Sequence, residues 1–301
     1  MRQELAVFRQ WTRPYAVACV VKTWGSAPRP VGSLMGVRDD GLIVGSVSGG
    51  CVEADVVRAA HEVVKYGGLR TLHFASISEE AVWQAGLSCG GEIEVVVWRP
   101  DGEPAWQRLL NEEVGSYVLD LSTSHGSFVE DTNLASQPGR MVLSMRPTEQ
   151  LLIFGAVHIA IPLVSFARAL GFRTVVIDPR SAFAKPERFA EPPDELLALW
   201  PDEAFANVPV TSETYAVMLS HEPRIDTEAL RRLLRSPACY LGALGSRKTQ
   251  EARKAELLAE GFSEEEIGRI QGPVGLNIGA VTPEEIALSI AAQLVEARRR
   301  Q

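Results

Sequence analysis

The feature that most constrains the fold is a regular alternation of strand and helix patterns after Glu149. Short runs rich in Val, Ile and Leu alternate there with segments of helical periodicity. Strands separated by helices predict a parallel sheet with right-handed crossovers. We therefore predict a doubly wound α/β domain over residues 149–301. Its expected elements are 151–154, 159–170, 174–177, 215–219, 227–234, 239–241 and 247–260.

The first part of the chain predicts a different, mixed α+β domain over residues 1–105. Its one long helix is expected at 53–66, where valine and alanine recur at helical spacing. We read residues 106–148 as an appendix and linker, with a helix at 106–113, a strand at 117–121 and a loop up to Gly139. The expected strands of the first domain are 15–22, 33–38, 42–46, 70–74 and 93–98.

Composition excludes several classes of protein. A net charge of -8 over 301 residues argues against a nucleic-acid partner, because phosphate binding needs a basic surface. Four cysteines without Cys-x-x-Cys spacing fit neither a disulfide scaffold nor a zinc site. The longest apolar stretch, 151–167, contains His158 and Pro162 and is too short for a membrane span, and the start lacks a signal-peptide pattern. We expect a cytoplasmic protein without a membrane partner.

Two cysteines lie against glycine pairs in mirror-image order, as Gly49-Gly50-Cys51 and Cys89-Gly90-Gly91. Glycine pairs permit sharp turns and let a ligand approach the backbone beside the sulfur. A thiolate is both a nucleophile and a soft-metal ligand. We therefore predict that Cys51 and Cys89 are metal ligands within a cofactor site. The alternative is two tight turns with buried thiols.

Cys51 also precedes the predicted helix 53–66, and helix N-termini bind anions and acidify thiols. Glu53 is either a competing ligand or a residue that stabilises the helix start through the dipole. Arg29 lies between two prolines in the loop 25–33, which suits bidentate capture of a phosphate or carboxylate. Its alternative is an exposed arginine on a rigid turn.

The second domain contains an incomplete dinucleotide-binding pattern. Gly155 follows the first predicted strand, and Asp178 ends the second strand, where an acid would meet a ribose hydroxyl. The middle glycine of the pattern is replaced by Val157, which weakens the case for NAD(P).

Four further candidates follow predicted strands of the second domain. His221, Asp226, Ser246 and Arg247 would meet at the carboxyl edge of the sheet, where open α/β sheets bind ligands. Ser246 and Arg247 open a predicted helix, which favours an anion. The alternatives are a hydrogen-bonded structural histidine and a helix-capping aspartate.

Taken together, these motifs resemble the XdhC/CoxI family of xanthine dehydrogenase accessory proteins. The resemblance covers both predicted domains, roughly 16–98 and 150–297. The matching segments are 25–32, 49–53, 86–91, 154–156, 176–180, Ser220 and His221 with Asp226, 245–247, 275–280 and 282–285.

The resemblance implies an N-terminal XdhC/CoxI domain, a C-terminal Rossmann-like domain and a homodimer. It also implies a cofactor-insertion chaperone, rather than a turnover enzyme, that binds molybdenum cofactor (molybdopterin) transiently. Such a protein protects the cofactor, assists its sulfuration and delivers it to a xanthine dehydrogenase-type molybdenum hydroxylase. Whether this chain or a cysteine desulfurase partner supplies the sulfur stays open.

Two departures and two alternative functions accompany the resemblance. Val157 replaces a glycine usual in this turn, and Asn277 stands where an aspartate is common. One alternative is an NAD(P)-dependent oxidoreductase, favoured by the second domain and Asp178. The other is a thiol redox protein in which Cys51 and Cys89 form a reversible disulfide.

Overall fold

The structure, a computed structural model, describes residues 1–25, 29–74, 91–100 and 102–300. The chain divides into two compact units, one of Met1–Arg146 and one that begins at Pro147. None of the helices in these described ranges is long and apolar enough to cross a membrane. The first unit has two sheets and the second has one, and each unit has its own hydrophobic clusters.

The first unit is built on a five-stranded sheet in the order β3-β2-β1-β5-β4. Every neighbouring pair in it is antiparallel, with Val17 of β1 opposite both Gly36 and Trp98. The first six residues of β1 are buried, which explains their apolar run. The strands are β1 (Tyr15–Trp24), β2 (Leu34–Arg38), β3 (Ile43–Gly45), β4 (Leu69–Phe74) and β5 (Glu92–Trp98).

Helices cover both faces of this sheet. The long helix α2 (Glu53–Tyr66) buries Val56, Ala60 and Val63 against one face, and its bounds are those predicted. The other face packs against α1 (Arg2–Phe8) and α3 (Pro104–Leu110). The predicted mixed α+β first domain is thereby confirmed.

A second, three-stranded antiparallel sheet completes the first unit, in the order β7-β6-β8. Its strands are β6 (Gly115–Asp120), β7 (His125–Val129) and β8 (Arg140–Met145). The prediction of a loop up to Gly139 was wrong for β7. The first residues of β7, His-Gly-Ser, are typical of a turn. The antiparallel pairing of β7 with β6 is what holds them in an extended conformation.

The second unit is a parallel six-stranded sheet in the order β11-β10-β9-β12-β13-β14. Short strands that periodicity cannot detect form its two edges. The strands are β9 (Gln150–Phe154), β10 (Arg173–Ile177), β11 (Glu195–Leu197), β12 (Thr214–Met218), β13 (Tyr240–Ala243) and β14 (Ile270–Gln271).

Helices lie on both faces of this sheet, as the doubly wound prediction requires. One hydrophobic core joins the sheet to α4 and α9, and a second core joins it to α5, α6 and α7. The helices are α4 (Ala160–Ala169), α5 (Pro201–Phe205), α6 (Pro223–Leu234), α7 (Arg247–Ala259), α8 (Glu264–Gly268) and α9 (Pro283–Arg300), with a 3-10 turn at Pro186–Arg188.

The strand order changes direction at β9. From β9 the chain passes to β10 on one side, and it returns to β12 on the other side. The loops that follow β9 and β12 therefore diverge at the carboxyl edge of the sheet, where such folds bind ligands. Gly155 begins the first loop, and Ser220 lies in the second.

Candidate functional site

Glu53, the first residue of α2, folds its carboxylate back over the preceding loop. Its Oε1 accepts hydrogen bonds from the backbone N–H groups of Ser48 at 2.9 Å and Gly49 at 3.0 Å. Its Oε2 accepts from those of Gly50 at 2.9 Å and Val52 at 3.2 Å. We call residues 46–52 the Gly-Gly loop, and this one carboxylate organises it.

Two serine side chains complete the network. Ser46 Oγ donates to Glu53 Oε1 at 2.6 Å, and Ser48 Oγ donates to Oε2. Ser48 Oγ also accepts the N–H of Cys51 at 3.0 Å. Burial raises the pKa of Glu53, but the hydrogen bonds from Ser46, Ser48 and the backbone outweigh burial and lower the pKa to about 2. Glu53 is therefore a fixed negative charge inside the loop.

The two glycines are required by the backbone conformation of this loop. Gly49 has φ 80° and Gly50 has φ 122°, in the region that side chains disfavour. No described atom lies within 4 Å of where a Cβ would stand at either position. The glycines therefore serve the turn, and no described side chain packs against them.

The expected anion site at the start of α2 is occupied by the chain itself. The N–H groups of residues 48–52 all donate to Glu53 or to Ser48 Oγ. An external anion would find the N–H groups of residues 48–52 already used and would meet the charge of Glu53. Glu53 thus organises the loop. Neither of its two predicted roles, as a competing ligand or as a charge that stabilises the helix start, included these contacts.

The structure brings Arg29 to the Gly-Gly loop. Its Nε donates to the backbone oxygen of Ser46 at 3.3 Å. Within the described ranges the two terminal nitrogens of the guanidinium donate to no acceptor. This guanidinium is anchored at one nitrogen, and its charge also interacts with the carboxylate of Glu4.

Cys51 is a free thiol, half-buried against the core beneath α2. Its predicted partners Cys89 and Gly90 lie outside the described residues, whereas Gly91 is buried just before β5. Among the residues the structure does describe, no group of three or more His, Cys, Asp or Glu side chains could hold a metal ion. The Cys51 and Cys89 pair stays a prediction.

The other two cysteines differ from Cys51. Cys19 is buried within β1, and burial raises the pKa of its thiol to about 12. Cys239 is partly buried just before β13, and its Sγ donates to Thr214 O at 3.3 Å.

In the second unit, Gly155 and Asp178 meet at the turn after β9. Gly155 has φ 107°, and a Cβ there would stand 2.7 Å from the Cα of Ser220. Asp178 is fully buried, and its Oδ2 accepts the N–H of Ala156 at 2.8 Å. The predicted acid thus lies at the predicted turn.

Arg180 occupies the rest of the Asp178 carboxylate. Its Nε donates to Oδ1 at 2.8 Å, its Nη2 to Oδ2 at 2.7 Å, and its own N–H to Oδ1 at 3.0 Å. Burial alone would raise the pKa of Asp178, but the hydrogen bonds from Arg180 and Ala156 lower it. With four donors on two oxygens and no exposed surface, the carboxylate has no room for a ribose hydroxyl.

His221 and Asp226 come together beside β12. Ser220 donates its Oγ to Asp226 Oδ1 at 2.6 Å and its N–H to the same oxygen at 3.2 Å. His221 is exposed and has φ 59°, a strained value for a residue with a side chain. Both residues line a cavity that also contains Arg253.

Ser246 and Arg247 begin α7 at the same sheet edge. The Ser246 hydroxyl accepts the N–H of Thr249 at 3.2 Å, so it caps the helix. Arg247 is exposed and has no hydrogen-bond partner in the described part of the chain.

Sequence reasoning missed three residues: Ser48, Arg180 and Arg253. Arg180 follows Asp178 by two positions, a spacing at which the arginine side chain can fold back and donate to the aspartate carboxylate. Arg253 lies four residues before Leu257 and is buried with it on the inner face of α7. The available signal for Arg253 was a charged residue on the apolar face of the predicted helix, since such a residue is seldom buried without a partner.

Family models match both units of the chain. The XdhC and CoxI family model matches residues 9–75, and the XdhC Rossmann domain model matches residues 151–294. The chain belongs to the XdhC and CoxI family.

Three curated proteins resemble this XdhC and CoxI family member. The uncharacterized protein YqeB of Escherichia coli (strain K12) is 28% identical over 98% of this chain, which spans only 46% of YqeB. A protein of Bacillus subtilis (strain 168), named as a probable xanthine dehydrogenase subunit, is 26% identical, covering 94% of this chain and 93% of that protein. The molybdenum cofactor insertion chaperone PaoD of Escherichia coli (strain K12) is 28% identical, covering 94% and 83% respectively.

A crystal structure of a xanthine dehydrogenase from Bacillus halodurans has a similar fold. It superposes with a TM-score of 0.84 at 29% identity, covering 100% of this chain and 96% of that one. The similarity thus extends over both units of the chain.

Proposed function

We propose that this chain is a molybdenum cofactor insertion chaperone for a xanthine dehydrogenase-type hydroxylase. In this role molybdenum cofactor is cargo, held for a time and then passed on. The names of two relatives support the proposal, since one is a molybdenum cofactor insertion chaperone and the other is named for xanthine dehydrogenase.

The observation that carries the proposal is the meeting of Arg29 with the loop that bears Cys51. A half-exposed thiol is a soft ligand suited to molybdenum or to a transferable sulfur. A guanidinium with free outer donors suits the phosphate of the pterin side chain. Arg29, from an earlier part of the chain, donates to the Gly-Gly loop that bears the Cys51 thiol and that Glu53 keeps in shape. This donor set fits the cargo.

Transfer requires that the cargo is not held too strongly. A single thiol with one arginine offers fewer bonds than a closed metal site with four protein ligands. We propose that Cys89, which lies outside the described residues, adds a second thiol. Protection, assisted sulfuration and homodimer formation belong to this proposal, with a cysteine desulfurase as the candidate sulfur donor.

The binding test uses the purified full chain and cofactor released from a molybdenum hydroxylase. Molybdenum retained per chain is measured after gel filtration. We expect Cys51→Ser and Arg29→Gln each to weaken retention by roughly tenfold, as expected when a charge-assisted contact is lost. Delivery is then read as activity regained by the cofactor-free hydroxylase.

Two matched controls separate the site from general effects of substitution. Cys239→Ser alters a thiol of the second unit, and Arg13→Gln alters an exposed arginine of the first unit that pairs with Asp39. Both should retain cofactor like the unsubstituted chain. If Cys51→Ser and Cys89→Ser both retain it equally well, the thiolate role is wrong.

A further inference from the structure

A cavity of about 490 Å³ lies on one face of the three-stranded sheet of the first unit. Alternate residues of β6, β7 and β8 line this face, whereas the other alternate set, which includes Tyr117 and Leu143, is buried in the core. Residues of the loop 130–139 form the wall of the cavity. Its volume falls within the range of about 300 to 1,000 Å³ that is usual for small-molecule sites.

Hydrogen bonds fix the loop 130–139 to the sheet. Ser116 Oγ donates to Asp131 O at 2.5 Å, and Ser136 Oγ accepts the N–H of Val142 at 3.0 Å. At the end of the loop, the backbones of Gln137 and Arg140 exchange hydrogen bonds of 3.1 and 2.9 Å. The wall is therefore held in place by the chain itself, and a ligand that enters has no loop to order.

One end of the cavity carries a row of three charged or titratable side chains. Asp120 of β6 lies between its cross-strand partners His125 of β7 and Arg140 of β8, and all three line the cavity. The Nδ1 atom of His125 lies 3.9 Å from the carboxylate of Glu103. Asp120 itself has no ion-pair partner among the residues that the structure describes.

The two opposite charges of this row are not paired with each other. Hydrogen bonds from Ser122 and Thr123 lower the pKa of Asp120 to about 2, so its carboxylate is charged at neutral pH. The guanidinium of Arg140 is exposed and has no hydrogen-bond or ion-pair partner in the described ranges of the chain. Cross-strand neighbours have Cβ atoms about 5 Å apart, so one small molecule can contact both side chains.

The other end of the cavity is apolar. Val118 and Val142 are cross-strand partners, two residues along the strands from the charged row. Val129 and Leu134 also line the cavity and are 41% and 38% exposed. Residues two apart on a strand are separated by about 7 Å, so a ligand held at Asp120 needs several carbon atoms to cover the valines.

The two ends together select the ligand by charge and shape. A simple anion would face the carboxylate of Asp120, and a metal cation would face the guanidinium of Arg140. A zwitterion satisfies both, because its carboxylate and its ammonium group each form a charge-assisted hydrogen bond. An apolar group on the same molecule removes the exposed valines from water.

We propose that the cavity binds a free α-amino acid with an apolar side chain. The carboxylate of the amino acid lies on Arg140, its ammonium group lies on Asp120, and its side chain covers the valines. The proposal does not rest on cofactor insertion, since the cavity shares no lining residue with the Gly-Gly loop.

The test titrates the full chain in a calorimeter with leucine and with three molecules that each lack one part of it. The molecule 4-methylpentanoate lacks the ammonium group, isoamylamine lacks the carboxylate, and glycine lacks the side chain. We expect leucine to bind and each of the three to bind at least roughly tenfold more weakly. Two results overturn the proposal. One is the absence of binding by leucine, methionine and phenylalanine at millimolar concentration, and the other is equal binding by leucine and 4-methylpentanoate.

Variants assign the binding to the two charged side chains. Arg140→Gln and Asp120→Asn should each weaken leucine binding roughly tenfold. Asparagine keeps an oxygen for the hydrogen bonds from Ser122 and Thr123, so the turn after β6 is retained. If Asp120→Asn nevertheless fails to fold, Arg140→Gln alone decides, since its backbone hydrogen bonds are unchanged.

Controls lie outside the cavity. Glu130→Gln removes a neighbouring carboxylate that is 80% exposed and pairs with Arg108, and this variant should bind leucine like the unsubstituted chain. Cys51→Ser should also bind leucine normally, whatever its effect on cofactor retention. Unchanged leucine affinity in folded Arg140→Gln protein refutes the assignment.

Discussion

Replacing Glu53 by glutamine tests whether one carboxylate organises the Gly-Gly loop. The side chain accepts hydrogen bonds on both oxygens, four of them from backbone N–H groups. Glutamine keeps one oxygen and places an amide NH₂ against two N–H donors. We therefore expect Glu53→Gln to destabilise the first unit and to loosen the segment that carries Cys51.

The pKa of Glu53 sets the size of the effect. Its usual value of 4.5 falls to about 2. If the whole pKa difference is converted into free energy of unfolding, it gives about 3 kcal/mol. Because the side chain is only partly buried, screening by water reduces the figure to about 2 kcal/mol. Loss of a few charge-assisted hydrogen bonds gives a similar figure of about 2 kcal/mol.

Urea denaturation followed by tryptophan fluorescence measures this loss. Five of the six tryptophans precede residue 147, so the signal reports mainly on the first unit. A loss of about 2 kcal/mol should lower the urea midpoint by about 1 M. Because the pKa is depressed in the folded state, the contribution of Glu53 is complete above pH 4.5 and is lost as the pH falls toward 2. The gap between the two proteins should stay constant from pH 7 to 5 and shrink at pH 3.5.

Glu62→Gln is the matched control on the same helix. Glu62 is half-exposed and its ion pair with Arg70 is 3.8 Å long, so its removal should change stability by less than about 0.5 kcal/mol. Equal urea midpoints for Glu53→Gln and Glu62→Gln at pH 7 would refute the reasoning. A gap that persists undiminished at pH 3.5 would show that the carboxylate charge is not its cause.

Two further predictions concern Gly155 and the thiols. Gly155→Ala should destabilise the second unit by more than about 2 kcal/mol, because Gly155 has a positive φ and a Cβ there would clash with Ser220. The control Gly268→Ala in α8 has open space for the Cβ and should cause no loss. Equal melting temperatures of the two variants would contradict this prediction. In native protein iodoacetamide should alkylate Cys51 but not Cys19, which is 1% exposed, and peptide mass spectrometry that finds Cys19 modified first would reverse the assignment.

The sequence predicted the parts of the fold that carry strong periodic patterns. Helix α2 has the predicted bounds because valines repeat along its buried face and Gly67 follows its last residue. The parallel sheet followed from alternating strands and helices. Strand β7 was missed because its His-Gly-Ser start carries no apolar alternation, and β14 was missed because two residues carry no period. Partner strands, rather than local propensity, define these elements.

The candidate site was predictable as a position but not as a set of contacts. The motif Gly49-Gly50-Cys51 does form a turn before a helix, and Arg29 does reach it. Which group receives the N–H donors of the turn depends on the rotamer of Glu53, which no spacing rule fixes. The burial of Arg253 beside Asp226 likewise depends on how α6 and α7 pack.

Both units use the same solution at their glycine turns. In the first unit the N–H groups before α2 donate to Glu53, and in the second the N–H of Ala156 after β9 donates to Asp178. A glycine turn at a strand end usually signals phosphate binding because its N–H groups face outward. Here Glu53 accepts from four backbone N–H groups of the first turn, and Asp178 accepts from the N–H of Ala156 at the second. The charge of Glu53 also disfavours a phosphate at the first turn, whereas Arg180 pairs with Asp178 at the second. A glycine turn that follows a strand is therefore weak evidence for a phosphate site when an acidic residue can fold back onto it.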